Sequence, residues 1–173
     1  MSALAAAPVL AASATALLAG IARAADADGL LTRPLRGVDL PVIGIGTARR
    51  YADPADAAAL APLRDTIHRF TELGGRVIDT APSYGRAEDV VGQLVQELGV
   101  RDRLFLATKV GAGTREEGAA QIEDSFRKLR TDRIDLIAVH NLRDVDNQLA
   151  LLRDLRAAGR IGALGITTSA DQQ

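Results

Sequence analysis

The chain has 173 residues, 21 Lys plus Arg against 22 Asp plus Glu, a net charge of -1 and no cysteine. At 47% hydrophobic and 25% charged it lacks the polar excess of a disordered segment and the basic footprint of a nucleic-acid binder. Without cysteine, disulfide frameworks and thiolate metal sites are excluded.

Residues 1–22 carry no charge, 13 of the first 28 residues are Ala, and Ala22-Arg23-Ala24 closes the run ahead of Asp26 and Asp28. This pattern reads as the apolar core and cleavage site of a secretory signal peptide, although no basic residue precedes it. Ala is barely apolar enough to hold a membrane span, and Pro8, Ser13 and Thr15 weaken one further. The expectation is a signal peptide over 1–24 on a periplasmic or secreted protein, without stable membrane insertion. A plain N-terminal helix on a cytoplasmic protein is the alternative. Residues 25–40 are expected to form an extension or hairpin before the main body at 41–173.

From there a strand and a helix alternate. Pro41–Gly46 is a short apolar run, followed by a helical pattern through Ala58, Leu60, Leu63, Ile67 and Phe70 that Gly74-Gly75 ends. Val77-Ile78-Asp79 is the second strand, and Val90, Val91, Leu94, Val95 and Leu98 mark the next helix. Leu104–Lys109 is the third strand and Ile122, Phe126 and Leu129 the helix after it. The strand Ile134–Val139, a helix around Leu149, Leu152 and Leu155, and the strand Ile161–Ile166 complete the series. Continuous apolar strands alternating with amphipathic helices imply a parallel sheet covered by helices.

Strand ends at Gly46, Asp79, Lys109, His140 and Thr167 are spaced by 33, 30, 31 and 27 residues. A βα unit of about 30 residues is what an eightfold (β/α) barrel requires. The doubly wound alternative carries G-x-G-x-x-G at its first turn, whereas Gly44-Ile45-Gly46 runs on into Thr47-Ala48-Arg49. The fold expected is therefore α/β, of the (β/α)8 TIM-barrel type, with about five βα units. Five strands of an eight-stranded design make a truncated barrel with open edges, about 100 residues short.

Side chains at the C-terminal ends of barrel strands converge on one face. Of the chain's 21 basic residues only Lys109 and Lys128 are lysines, and Tyr and His also number two each. One of each scarce type falls at a strand end or in the loop beyond it: Tyr84, Lys109 and His140, with Asp79 beside them. A free phenol, with a pKa near about 10, is a poor acid at neutral pH, but a nearby ammonium stabilises the phenolate. Lys109 can serve Tyr84 in this way, Asp79 can hold Lys109 charged, and His140 can hydrogen-bond a substrate oxygen. The set suits protonation of a developing alkoxide. Metal-dependent hydrolysis finds no His-x-His and no clustered strand-end carboxylates. Gly111–Thr114 lacks the Gly-Lys-Ser/Thr of a phosphate loop. Glu88 is expected to face the positive N-terminus of its helix.

Gly75–Gly92, with its Asp79-Thr80-Ala81-Pro82-Ser83-Tyr84-Gly85 core, together with Ala107-Thr108-Lys109, Asp135–His140 and Leu164–Thr168, resembles the aldo-keto reductase family over roughly residues 31 to 170. The resemblance implies a catalytic tetrad of Asp79, Tyr84, Lys109 and His140 and an NADPH cofactor donating hydride to a small aldehyde or ketone. It implies Tyr84 as proton donor, cofactor contacts from Gly46, Thr47 and Asp79, and contacts to the nicotinamide carboxamide from Thr167 and Thr168. The family commonly places Ser-Asn where this chain has Thr167-Thr168, and Thr168 cannot offer an amide's paired donor and acceptor. The family's contacts to the adenosine phosphates come from the region of strands 7 and 8, beyond the five units present. A catalytically inactive fragment, or an interaction or redox-sensing subunit of the same family, is the alternative.

Overall fold

The structure, a computed structural model, describes residues 29–54 and 56–169. The leader expected over 1–24 lies outside them. Thr32–Leu35 (β1) and Val38–Pro41 (β2) pair as an antiparallel hairpin. There follow Gly44–Gly46 (β3), Ala57–Glu72 (α1), Val77–Asp79 (β4), Ala87–Leu98 (α2), a 3-10 turn at Arg101–Arg103, Phe105–Val110 (β5), Arg115–Leu129 (α3), Ile134–His140 (β6), Val145–Ala157 (α4) and Ile161–Thr167 (β7). Strands β3 to β7 form one all-parallel sheet in chain order, with β3 and β7 at its edges.

The apolar run Pro41–Gly46 is not one strand. Pro41, which has no N–H to donate, closes β2, and Val42 N–H donates back to the Leu31 carbonyl at 3.0 Å, so only Gly44–Gly46 joins the sheet. The other expected strands stand within one residue of their bounds, and each expected helical pattern falls inside an observed helix. Their helix starts are chemical: Asp56 accepts from Ala59 N–H at 2.9 Å, and Thr114 accepts from Glu117 N–H at 3.2 Å.

Alternation along the strands separates two faces. Ile78, Leu106, Ile137 and Val139 are buried on the face covered by helices, in one cluster with Ile67, Leu94, Ile122 and Leu152. Each such side chain contributes about 1.5 to 3 kcal/mol. On the other face Val77, Phe105, Leu136 and Ala138 are only half-buried. The helices also approach closely. A Cβ added at Gly92 of α2 would stand 2.1 Å from the Lys128 carbonyl of α3, so nothing larger than glycine fits without moving backbone. No described helix is long and apolar enough to cross a membrane.

Glu88 stands in the first turn of α2, as expected, and its carboxylate is turned inward at 1% exposure, accepting from the Thr108 hydroxyl at 2.7 Å. Position explains this: the second residue of α2 lies over β5, on the inner side of the helix, where Thr108 satisfies one carboxylate oxygen while the other is buried without a hydrogen-bond partner among the described residues. Burial pushes the Glu88 carboxyl above its ordinary 4.5, against the opposing Thr108 hydrogen bond. Because the unfolded chain ionises this group first, the native state loses stability as pH rises from 4.5 through the folded value. Urea unfolding of wild type and Glu88→Gln should therefore show the wild type losing ground to the variant over that interval. Parallel pH profiles would contradict the burial argument.

Candidate active site

The face that is not covered by helices ends, at the C-terminal side of the strands, in Asp79 of β4, Lys109 of β5 and His140 of β6. Asp79 is in register with Ala107, Lys109 with Ala138, and His140 with Thr167, so strand parity points all of them the same way. The Lys109 ammonium donates to Asp79 Oδ1 at 2.9 Å, to Oδ2 at 2.7 Å, and to the Thr80 carbonyl at 2.9 Å. Its three protons are thus matched by three oxygens, which a buried ammonium requires. The pair is asymmetric: the lysine side chain is 9% exposed and the aspartate 48%.

Tyr84 comes from the loop after β4. Gly85 holds that loop with φ of +58, and a Cβ there would stand 2.7 Å from the Ala52 carbonyl, which already accepts from Arg86 N–H at 2.7 Å. The phenol ring so placed lies 4.9 Å from the Lys109 ammonium and meets the His140 ring edge-on, with centroids 6.1 Å apart at 86°. Such contacts are attractive through the ring quadrupole. All four residues singled out in the sequence therefore converge. The other Tyr, Lys and His do not: Tyr51 is buried with its hydroxyl on the Leu63 carbonyl at 3.4 Å, Lys128 pairs with Asp124, and His68 with Glu72. Burial pushes the Tyr51 phenol up to about 12.

Desolvation holds the His140 imidazole below its ordinary 6.5, and the Lys109 charge adds to this while Asp79 opposes it. The shift favours the neutral imidazole, which has one N–H to give. Ser83, which sequence reasoning passed over, stands with its hydroxyl 3.5 Å from His140 Nδ1. Its only sequence signal is adjacency to Tyr84.

Of the residues expected at a cofactor, Thr47 is fully buried and committed: its N–H and its hydroxyl both donate to the Asp79 carbonyl, at 3.1 and 3.0 Å. It ties the end of β3 to the end of β4. A Cβ built on Gly46 meets nothing within 4 Å, leaving open space beside Asp79. Thr167 stands opposite His140 in register, and Thr168 is exposed just beyond.

The Aldo/keto reductase family model matches residues 42–172, and the chain belongs to that family. Aldo-keto reductase YhdN of Bacillus subtilis is 32% identical over 152 residues, 79% of this chain and 46% of its own length. Methylglyoxal reductase DkgB of Yersinia pestis is 35% identical over 106 residues, 60% of this chain and 36% of its own. The crystal structure of an aldo-keto reductase from Klebsiella pneumoniae in complex with NADPH superposes with a TM-score of 0.68 at 28% identity, over 79% of this chain and 50% of that one. The chain spans less than half the length of these two curated relatives. Its parallel sheet is five strands of the family's barrel.

The charge balance around His140 is open to measurement. An NMR titration of the imidazoles should place the His140 midpoint below 6.5, and Lys109→Met should move it upward by removing a repelling charge. A midpoint at or above 6.5 in the wild type would contradict the geometry.

Proposed function

We propose that this chain carries the proton-transfer centre of an NADPH-dependent reductase that converts an aldehyde or ketone to an alcohol. The observation that carries the reading is the buried Lys109 ammonium, locked onto Asp79 and standing 4.9 Å from the ring of Tyr84. In this reading the Tyr84 hydroxyl gives its proton to the carbonyl oxygen as negative charge builds there. Lys109 stabilises the phenolate left behind, and Asp79 keeps Lys109 charged and fixed in place. Neutral His140 donates an N–H to the same oxygen and orients the substrate.

The residues present fit a nicotinamide cofactor. The space that a side chain at Gly46 would fill is open, half-exposed Asp79 offers a carboxylate to a ribose hydroxyl, and Thr167 offers a hydroxyl. Gly46 and Asp79 would hold it on one side, with buried Thr47 fixing the Asp79 backbone, and Thr167 and Thr168 at the carboxamide. When bound, NADPH supplies the hydride to the carbonyl carbon. Support for this cofactor comes from the Klebsiella pneumoniae relative crystallised with it. The leader pattern at 1–24 supports a periplasmic or secreted setting.

Titrating the full chain with NADPH and following cofactor oxidation on addition of a carbonyl compound tests the reading. The expected result is saturable binding with carbonyl-dependent oxidation, while Tyr84→Phe retains NADPH binding and loses at least about a hundredfold in turnover. Equal turnover by wild type and Tyr84→Phe would refute Tyr84 as the acid.

A further inference from the structure

Beside His140, away from the Lys109–Asp79 pair, lies an open pocket of about 530 Å³ whose polar lining comes from Ser83, Gln121, His140, Asn141 and Arg143. Its two amides are oriented as donors. Gln121 Oε1 accepts from Gly111 N–H at 2.8 Å, and Asn141 Oδ1 accepts from the Ser169 N–H at 3.2 Å and its hydroxyl at 3.3 Å. A backbone N–H can only donate, so both amide oxygens are turned to the protein and the two NH2 groups are left as donors, beside a Ser83 hydroxyl and a His140 ring that can donate or accept. The Arg143 guanidinium forms no ion pair or hydrogen bond among the described residues. It reaches over the Gly113 loop, where Nη2 would stand 3.3 Å from a Cβ on Gly113. The nearby Glu117 carboxylate is held by Gly113 N–H at 3.1 Å, and no carboxylate among the described residues lines the pocket.

An unpaired cation flanked by two amide NH2 donors matches an anionic planar group better than an alkyl chain. We infer that this pocket is a carboxylate subsite and that the substrate is a carbonyl compound bearing a carboxylate, whose carbonyl oxygen lies at Tyr84 and His140. The substrate assignment rests on the reductase reading; the subsite itself does not. The Arg143 backbone supports the arrangement, since its N–H donates to the His140 carbonyl at 3.2 Å and couples the guanidinium's origin to the end of β6.

The probes are 4-carboxybenzaldehyde and methyl 4-formylbenzoate, which share an aldehyde and differ in the charge of the remote group. Their affinities for the full chain, with and without NADPH, are read by saturation-transfer NMR at low and high salt, for wild type, Arg143→Gln and Arg143→Lys. Arg143 is exposed and bonds no other side chain among the described residues, so the variants threaten folding little. The expected result is an acid-over-ester preference of about tenfold in wild type, weakened by salt, partly kept by Arg143→Lys and reduced to within about twofold by Arg143→Gln. No preference in the wild type, or the same preference in Arg143→Gln, would overturn the subsite. Arg143-dependent acid binding with no cofactor oxidation would uphold the subsite and count against the reductase reading alone.

Discussion

A lysine ammonium that is 9% exposed must be neutralised where it lies, and the rest of this site follows from how that is done. Lys109 finds both oxygens of Asp79 and the carbonyl of Thr80, all at the end of the neighbouring strand. The bond between β4 and β5 is therefore locked by charge as well as by the sheet ladder. Thr47 locks β3 to the same point by giving two hydrogen bonds to the Asp79 carbonyl. Three consecutive strand ends are held at one spot, and Tyr84, the fifth residue of the loop after β4, is delivered beside them.

The same charge sets the chemistry of its neighbours. Lys109 stands near the ring of Tyr84, where it can receive a phenolate, and it adds to the desolvation that favours the neutral form of His140. One cation thus favours a group that ends negative and disfavours a second group becoming positive. This division of labour suits transfer of a proton from Tyr84 with a hydrogen bond from His140, and it needs no nucleophile.

Much of this was legible in the sequence because it depends on period and spacing. Strand ends recurring at about 30 residues placed Asp79, Lys109 and His140 on one face, and the scarcity of Lys, Tyr and His separated them from the arginines that serve the surface. What escaped depends on contacts between distant segments. Glu88 looks like a helix-start carboxylate in one dimension, and only the packing of α2 on β5 turns it toward Thr108. The split of Pro41–Gly46 depends on Leu31, whose carbonyl takes the Val42 N–H. Arg143 is one of 19 arginines in the sequence, and nothing local shows that Gly111 and Ser169 hold the oxygens of the amides around it. Polar roles that rest on who has already used an acceptor cannot be read from residue type.

Lys109 and Asp79 act as one unit with unequal burial, and a double-mutant cycle in unfolding free energy tests that directly. Asp79→Ala should destabilise the protein by about 2 to 3 kcal/mol, because it strands a buried ammonium. Lys109→Met should cost clearly less, since the aspartate it leaves is half-exposed, and the double variant should recover much of the Asp79→Ala loss. Additive losses, or a larger loss from Lys109→Met than from Asp79→Ala, would contradict the pair as the organising interaction of the site.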